Sequence, residues 1–346
     1  MKKIILLPIT VFFFSATIIK AQKSNKPERL LLLDSGFIFT NAPFESCHAS
    51  SLTELPGKRI MAAWFGGKYE SNPDVSIWTS VKGKGKWSQP KETANGIQSD
   101  EFHFACWNPV LFKSRNELLF LHYKVGTSPR TWWAEMKTSA DNGLTWSNAR
   151  KLPDGFLGPI KNKPVQLEDG DILYPSSAES KINNKWTIHL ERSDSAGNNW
   201  RRINIDCDTF NVIQPTLLVY RDGRMQLLCR SRQNVIVESW SYNGGNTWEA
   251  LQATNLSNPN SGIDAVSLDN GMQLLVYNPL QSGSHGRSIL KVTVSADGQQ
   301  WKDVFTLEEH KEGEYSYPAV IQSSDGVIHI SYTSTRKKIK YVRLKF

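Results

Sequence analysis

The chain has 346 residues, 41 Lys+Arg against 33 Asp+Glu, a formal net charge of +8, 39% hydrophobic and 11% aromatic residues. A surplus this mild, with no run of Lys or Arg, excludes a nucleic-acid partner and licenses only a modest preference for acidic ones. The absence of Cys-x-x-Cys and His-x-x-x-His gives no metal site to assign, and no cofactor is expected. The chain opens on Met1-Lys2-Lys3, an apolar stretch Ile4–Ile19 and Lys20-Ala21-Gln22. That pattern predicts a secretory signal over residues 1–21, because the stretch is short for a membrane span and broken by Pro8, Ser15 and Thr17. Its removal lowers Lys+Arg from 41 to 38 and the net charge to +5. A periplasmic or secreted protein follows, with no membrane span after cleavage and no cysteine placed to carry a lipid.

After a polar linker, residues 30–39 (Leu-Leu-Leu-Leu-Asp-Ser-Gly-Phe-Ile-Phe) read as an isolated strand. A unit then recurs six times: apolar strand, turn, second strand, loop, third strand, tight turn, fourth strand. First strands are expected at 48–52, 108–112, 163–167, 214–218, 264–268 and 317–321. Asp169-Gly170, Asp222-Gly223, Asp269-Asn-Gly271 and Asp325-Gly326 mark hairpins after four of them. The tight turn is clearest in Ser139-Ala-Asp141-Asn-Gly143-Leu-Thr145-Trp146, where Asp and Asn bond their own backbone and Gly takes positive φ. Related octapeptides end at Trp87, Trp200 and Trp248, and a shortened copy, Ser295–Trp301, ends at Trp301, so the closing tryptophans repeat at 59, 54, 48 and 53 residues. A period near fifty signals a propeller or solenoid. The last unit ends at Phe346 without a fourth strand, which the strand at 30–39 can supply. An all-β, six-bladed β-propeller over residues 22–346 is therefore predicted, its ring closed by the N-terminal strand.

In such a ring the starts of first strands and the ends of second strands share the face opposite the tight turns. That gathers Glu45, His48, His103, Trp107, Asn108, Lys161, Lys163, Gln214, Asp264, Tyr315 and Tyr317 with Asp74, Tyr123, Lys124, Arg130, Arg230, Arg232, Tyr277, Asn278 and Arg336. Arginine forks suit a carboxylate, aromatic faces suit sugar rings, and carboxylate or imidazole suits proton transfer. His48, Asp74, His103, Tyr315 and Tyr317 are the candidate catalytic residues. Trp107, Asn108, Lys124, Arg130, Lys163, Gln214, Arg230, Arg232, Asp264 and Arg336 are the candidate substrate contacts. Several have a plainer reading: Asp74 as the cap of the turn Ser71-Asn72-Pro73, His48 as a structural histidine, and Arg230 and Arg232, two apart on a strand and able to face the same way, as a purely structural ion pair. Of Tyr315 and Tyr317, alternation is expected to send one into the core and one into the channel. Trp132 and Trp133 read as packing between blades. Cys47 and Cys106 hold equivalent places in successive units, which allows a disulfide, with free buried thiols as the alternative.

The repeated turns, together with Cys47-His48-Ala49-Ser50, Ala63-Trp64-Phe65-Gly66-Gly67, Cys106-Trp107-Asn108-Pro109, residues 158–164 (Gly-Pro-Ile-Lys-Asn-Lys-Pro), Asn258-Pro259-Asn260 and Tyr315-Ser316-Tyr317-Pro318, resemble the sialidase (neuraminidase) superfamily. Its members carry such turns, called Asp-boxes, on a six-bladed propeller. The resemblance implies Asp74 as acid, Tyr315 or Tyr317 as nucleophile and Arg230 or Arg232 as one carboxylate-binding arginine; tyrosine is a known exception among glycosidase nucleophiles. His48 stands where the family's Arg-Ile-Pro arginine belongs, and Gln214 stands where its glutamate belongs. Related propellers acting on uronate linkages use a channel histidine there. The expectation is an exported exo-glycosidase cleaving a terminal acidic-sugar linkage and working as a monomer. The alternatives are a lyase at a uronate linkage such as rhamnose–glucuronate, a non-catalytic glycan-binding propeller, and a scaffold.

Overall fold

The computed structural model describes residues 29–83, 85–283 and 285–346; the expected signal segment lies outside them. No helix among the described residues is long and apolar enough to cross a membrane. The described chain is built of 24 strands. The first, β1 (Leu31–Phe37), precedes the blades. Blade I comprises β2 (Ser46–Leu55), β3 (Arg59–Gly67), β4 (Ser76–Lys82) and β5 (Lys91–Ala94). Blade II comprises β6 (Cys106–Lys113), β7 (Leu119–Val125), β8 (Trp133–Ser139) and β9 (Arg150–Lys151). Blade III holds β10 (Val165–Gln166), β11 (Ile172–Glu179), β12 (Trp186–Ser193) and β13 (Arg201–Asn204). Blade IV holds β14 (Val212–Val219), β15 (Met225–Ser231), β16 (Val235–Ser241) and β17 (Gln252–Ser257). Blade V holds β18 (Asp264–Ser267), β19 (Gln273–Tyr277), β20 (Ile289–Ser295) and β21 (Lys302–Glu309). Blade VI is β22 (Tyr315–Gln322), β23 (Ile328–Ser334) and β24 (Lys338–Lys345), completed by β1 antiparallel to β24. The ring is closed by the N-terminal strand, as the orphan strand predicts.

Six apolar cores fill the six junctions between neighbouring blades. Each blade exposes two apolar faces, and only stacking on both neighbours removes them from water. This arrangement decides the cysteine question. Cys47 lies in the core between blades VI and I, and Cys106 in the core between I and II. They face opposite sides of blade I, so they form no disulfide, and all four cysteines are free and buried. Trp132 and Trp133 pack on the I–II core, as their plainer reading holds.

The Asp-boxes join third to fourth strands in blades II to V. In the box at 139–146 the Asp141 carboxylate accepts from Thr145 N (2.9 Å) and Thr145 Oγ1 (2.6 Å), and Ser139 Oγ accepts from Gly143 N at 2.8 Å. The closing tryptophans are half-buried rather than fully buried, and each packs into the core shared with the preceding blade. Trp248 of blade IV, for example, joins Leu173 and Ile188 of blade III. The box glycines carry a double constraint. Gly298 has φ of 79°, and a Cβ there would collide with Tyr220, Gln226 and Trp240 of the preceding blade. Those three side chains cannot yield cheaply: Tyr220 bonds Gln226 at 2.6 Å, and Gln226 bonds the Gly298 carbonyl at 2.9 Å. Each box is thus a staple onto the blade before it.

This predicts a contrast between two glycines of like backbone. Gly223 has φ of 83° with open space around it. Gly223→Ala is expected to cost about 1 kcal/mol of strain, and Gly298→Ala about 3 kcal/mol, because overpacking adds to the same strain. Denaturant unfolding of the two variants measures the difference; equal losses would deny the staple.

Candidate active site

Inner strands in four blades break register at the same height. The shifts fall between His48 and Ser51, Trp107 and Val110, Ile213 and Thr216, and Ser316 and Ala319. Within each shift one residue is left-handed: Ala49 (φ 54°), Asn108 (37°), Gln214 (55°) and Tyr317 (53°). Non-glycine residues avoid this region, and bulges of this kind re-aim side chains. Asn108, Gln214 and Tyr317 each precede a proline, whose missing N–H takes no part in a ladder. The bulge is also what separates the two tyrosines. Plain alternation puts residues two apart on one face, contrary to the expectation that alternation alone divides them. Tyr317 faces the channel, whereas Tyr315 stacks on His310 at 4.5 Å in the junction of blades V and VI.

Tyr317 is the centre of the channel mouth. Its hydroxyl oxygen accepts from Arg230 Nη1 at 2.7 Å, and Gln214 Nε2 lies 3.5 Å away. Arg230 also donates to Gln214 Oε1 at 3.2 Å and to Asn260 Oδ1 at 2.8 Å. The guanidinium carbons of Arg230 and Arg287 each lie 5.7 Å from the Tyr317 ring centre, and Lys161 Nζ lies 5.8 Å from it. Lys161 is fully enclosed, donating to Asn162 Oδ1 (2.8 Å), Ile263 O (3.0 Å) and Pro318 O (2.5 Å). Burial pulls its ammonium down to about 7, against the pull of Asp264.

His48 packs on the other side of Tyr317, ring centres 4.1 Å apart, and edge-on to Phe65 at 5.7 Å. Both its ring nitrogens are buried without a hydrogen-bond partner. Burial, then the charges of Arg336, Arg287, Lys161 and Arg230, push its pKa well below the usual imidazole value, so it is neutral near pH 7. Arg336 and Arg287 grip one carboxylate: Glu314 accepts from Arg287 at 2.8 Å and from Arg336 at 3.0 Å, and Arg336 also meets Glu70. Although burial opposes it, these two guanidiniums keep the Glu314 carboxyl below its ordinary range.

The expected site residues divide. His48, Gln214, Arg230 and Tyr317 meet directly, and Arg336 joins through Glu314 and Arg287. Arg232 stands beyond them, its guanidinium 4.1 Å from the Trp186 ring centre on the same side as Arg230. Lys163 and Asp264 are committed to each other at 3.0 Å, and Asp264 also accepts from Thr216 Oγ1 at 2.9 Å and Val320 N at 2.8 Å. That carboxylate ties blades III, IV, V and VI together across the axis. Asp74 is exposed between β3 and β4, and its carboxylate accepts from Lys68 N at 3.1 Å. His103 is exposed on the loop before β6, bridging Ile97, and Arg130 is exposed on the rim. Trp107 is buried in the I–II core with Nε1 on Gly126 O at 2.8 Å, and Asn108 is buried at the bulge. Lys124 turns away into the II–III junction, donating to Pro159 O at 2.8 Å, where burial pulls it to about 7. Arg287, Glu314 and Asn260 were not among the expected residues. Arg287 and Glu314 sit on loops flanking strands rather than at strand starts; the signal for Asn260 was the quoted segment 258–260. Among the described residues no cluster could hold a metal ion.

The model of the BNR repeat-like domain matches residues 58–330. No curated protein matched the chain in sequence. Among solved structures, a protein of unknown function from Dyadobacter fermentans is similar at 16% identity and a TM-score of 0.76, covering 92% of this chain and 100% of that one. The NanB sialidase of Streptococcus pneumoniae is similar at 12% identity and 0.71, covering 90% and 70%. The intramolecular trans-sialidase of Ruminococcus gnavus is similar at 14% and 0.69, covering 90% and 97%.

Two outcomes follow from the packing and charge described. Asp264→Ala leaves the half-buried Lys163 with only the Ala265 carbonyl and strips Thr216 Oγ1 and Val320 N of their acceptor, with an expected loss of about 3–5 kcal/mol by denaturant unfolding. His48 and His122 are held well below the usual value by burial first, and His329 at about 4. The unfolded chain binds protons on these rings below about 6.5 while the folded chain refuses them. Their contribution to stability is therefore full above that pH and is lost on acidification toward 4. A His122→Asn variant should show a shallower fall over that window in pH-dependent thermal melts.

Proposed function

Because the chain belongs to the BNR repeat-like domain family, on a propeller of the sialidase-like superfamily, we propose that it is an exported glycan-active enzyme cleaving a terminal acidic-sugar linkage at Tyr317. The observation carrying this reading is the Tyr317 hydroxyl, held by Arg230 and Gln214 in a strained bulge, with Arg287 at the ring. Strain of 1–3 kcal/mol is retained where it sets the geometry of a reacting group. The sugar carboxylate meets the guanidiniums of Arg230 and Arg287 and seats the sugar ring against the Tyr317 phenol. Arg230 stabilises the phenolate as the proton leaves, and neutral His48 is the imidazole packed closest to that ring. In hydrolysis the phenol proton passes to solvent and the phenolate oxygen bonds the anomeric carbon as the glycosidic bond breaks, its oxygen leaving with a proton from Asp74. A water that returns a proton to Asp74 then attacks the anomeric carbon, releasing the sugar and the Tyr317 phenolate.

One observation favours a second route, elimination at a uronate. The family's glutamate partner of the tyrosine is Gln214 here, which takes up no proton. In that route the Tyr317 phenolate, its proton already lost to solvent, removes the proton beside the uronate carboxylate, the electrons of that C–H bond form the ring double bond as the glycosidic bond breaks, and the same proton passes from the phenol to the departing glycosidic oxygen. The cations around Tyr317 would stabilise the charge developing on the carboxylate.

A product screen on terminal sialosides and rhamnose–glucuronate-capped oligosaccharides tests both. Free acidic sugar without new ultraviolet absorption marks hydrolysis; an absorbing unsaturated uronate marks elimination. Tyr317→Phe should lower kcat/KM about 100-fold to 10,000-fold, with KM little changed. Full activity in that variant, or no cleavage of any acidic glycan by the wild type, would overturn the assignment.

A further inference from the structure

The mouth holds two kinds of arginine. Arg287 and Arg336 are matched to Glu314 and Glu70. Among the described residues, Arg130, Arg230 and Arg232 form no ion pair within 4.0 Å, and their hydrogen bonds go to neutral oxygens. Arg130 and Arg232 come from different blades, II and IV, yet both donate to one neutral oxygen, Asn184 Oδ1 of the loop between β11 and β12, at 2.5 and 3.1 Å. Two guanidiniums on one amide oxygen repel each other by about 1 kcal/mol or more even when solvated. Trp186 carries part of this charge, with Arg232 at 4.1 Å and Arg230 at 5.8 Å from its ring centre. One acid acts on all three: Glu179, the β-partner of Trp186, whose half-buried carboxyl feels the charges of Arg230, Arg130 and Arg232 without forming an ion pair with them. Contacts thus run from the Tyr317 hydroxyl through Arg230 and Arg232 of blade IV, over Trp186 and Asn184 of blade III, to Arg130 of blade II.

We propose that Arg130 and Arg232, clamped on Asn184 and Trp186, form a second anion subsite for a negatively charged group on the sugar beyond the cleaved bond. The substrate is then an oligosaccharide with at least two anionic residues, one read by Arg230 and Arg287 and the next by Arg232 and Arg130. This rests on the proposed reading of Tyr317 for its place beside a cleaved bond, but the anion subsite itself is a claim about binding. Arginine forks accept a planar carboxylate and a sulfate ester alike. The charged partner offsets a repulsion that the single Glu179 carboxylate counters only in part, so binding should be strongly salt-dependent.

Titration calorimetry with three tetrasaccharides tests it without requiring turnover: an oligouronate, a neutral oligohexose, and that oligohexose bearing O-sulfates. The wild type should bind at least one charged probe at least 10-fold tighter than the neutral one, with affinity falling as salt rises. An Arg130→Gln, Arg232→Gln double variant, checked by its melting temperature, should lose that preference while its weak affinity for the neutral probe stays. Loss on the oligouronate assigns a carboxylate, and loss on the sulfated probe assigns a sulfate. Equal affinity for all probes in the wild type, or an unchanged preference in the double variant, would overturn the subsite. If Tyr317→Phe leaves cleavage intact while the double variant loses the charged probe, the catalytic reading fails and the subsite stands.

Discussion

The geometry of the channel mouth depends on one backbone device, the left-handed residue set into an inner strand. A regular strand would send every second side chain into a blade junction and leave none aimed along the axis. By inserting an extra residue at a common height, the inner strands of blades I, II, IV and VI turn a side chain out of the ladder without ending the strand. His48, Gln214 and Tyr317, about a hundred or more residues apart in sequence, meet because three such bulges face one another. The strain this costs is sustained by the six apolar cores around it, which fix the inner strands from both sides.

Below the mouth the polar groups are arranged for closure rather than chemistry. Asp264 accepts from three other blades, and Lys161 is spent on carbonyls of blades V and VI. Such buried charges are costly to desolvate, and they persist because each finds full hydrogen bonding. The charges near Tyr317 differ in kind: Arg230 is bonded only to neutral oxygens, and neutral His48 has no partner at all. Positive charge therefore accumulates at the mouth while the channel beneath it is balanced. That contrast distinguishes the residues able to meet a ligand from those that hold the ring.

The architecture was legible because it repeats. Six strand-turn-strand units in phase, five closing tryptophans and a missing last strand lead to six blades and an N-terminal closure, and each of these stands in the structure. The site was legible only in part. His48, Gln214, Arg230 and Tyr317 lie at strand starts and ends, which periodicity can place. Lys124 has the same address in its strand, yet its side chain turns into a junction, and no one-dimensional pattern separates the two outcomes. Arg287 and Glu314 sit on connecting segments whose path is set by neighbouring blades, so spacing carries no trace of them. The Cys47 and Cys106 pairing failed for a related reason. Equivalent positions in successive blades share a height, but they face different junctions.

The closure by β1 has a consequence for how the molecule comes into being. The partner of residues 31–37 is residues 340–345, so strands from opposite ends of the described residues must meet to close blade VI. Leu31, Leu32, Leu33 and Phe37 remain apolar and unpaired throughout synthesis, and five blades can stack before any ring exists. A chain lacking β24 would thus present two open sheet edges at once, β1 and β23, and such edges on separate molecules invite pairing between them. A late frameshift in this chain is more dangerous than its small loss of mass implies.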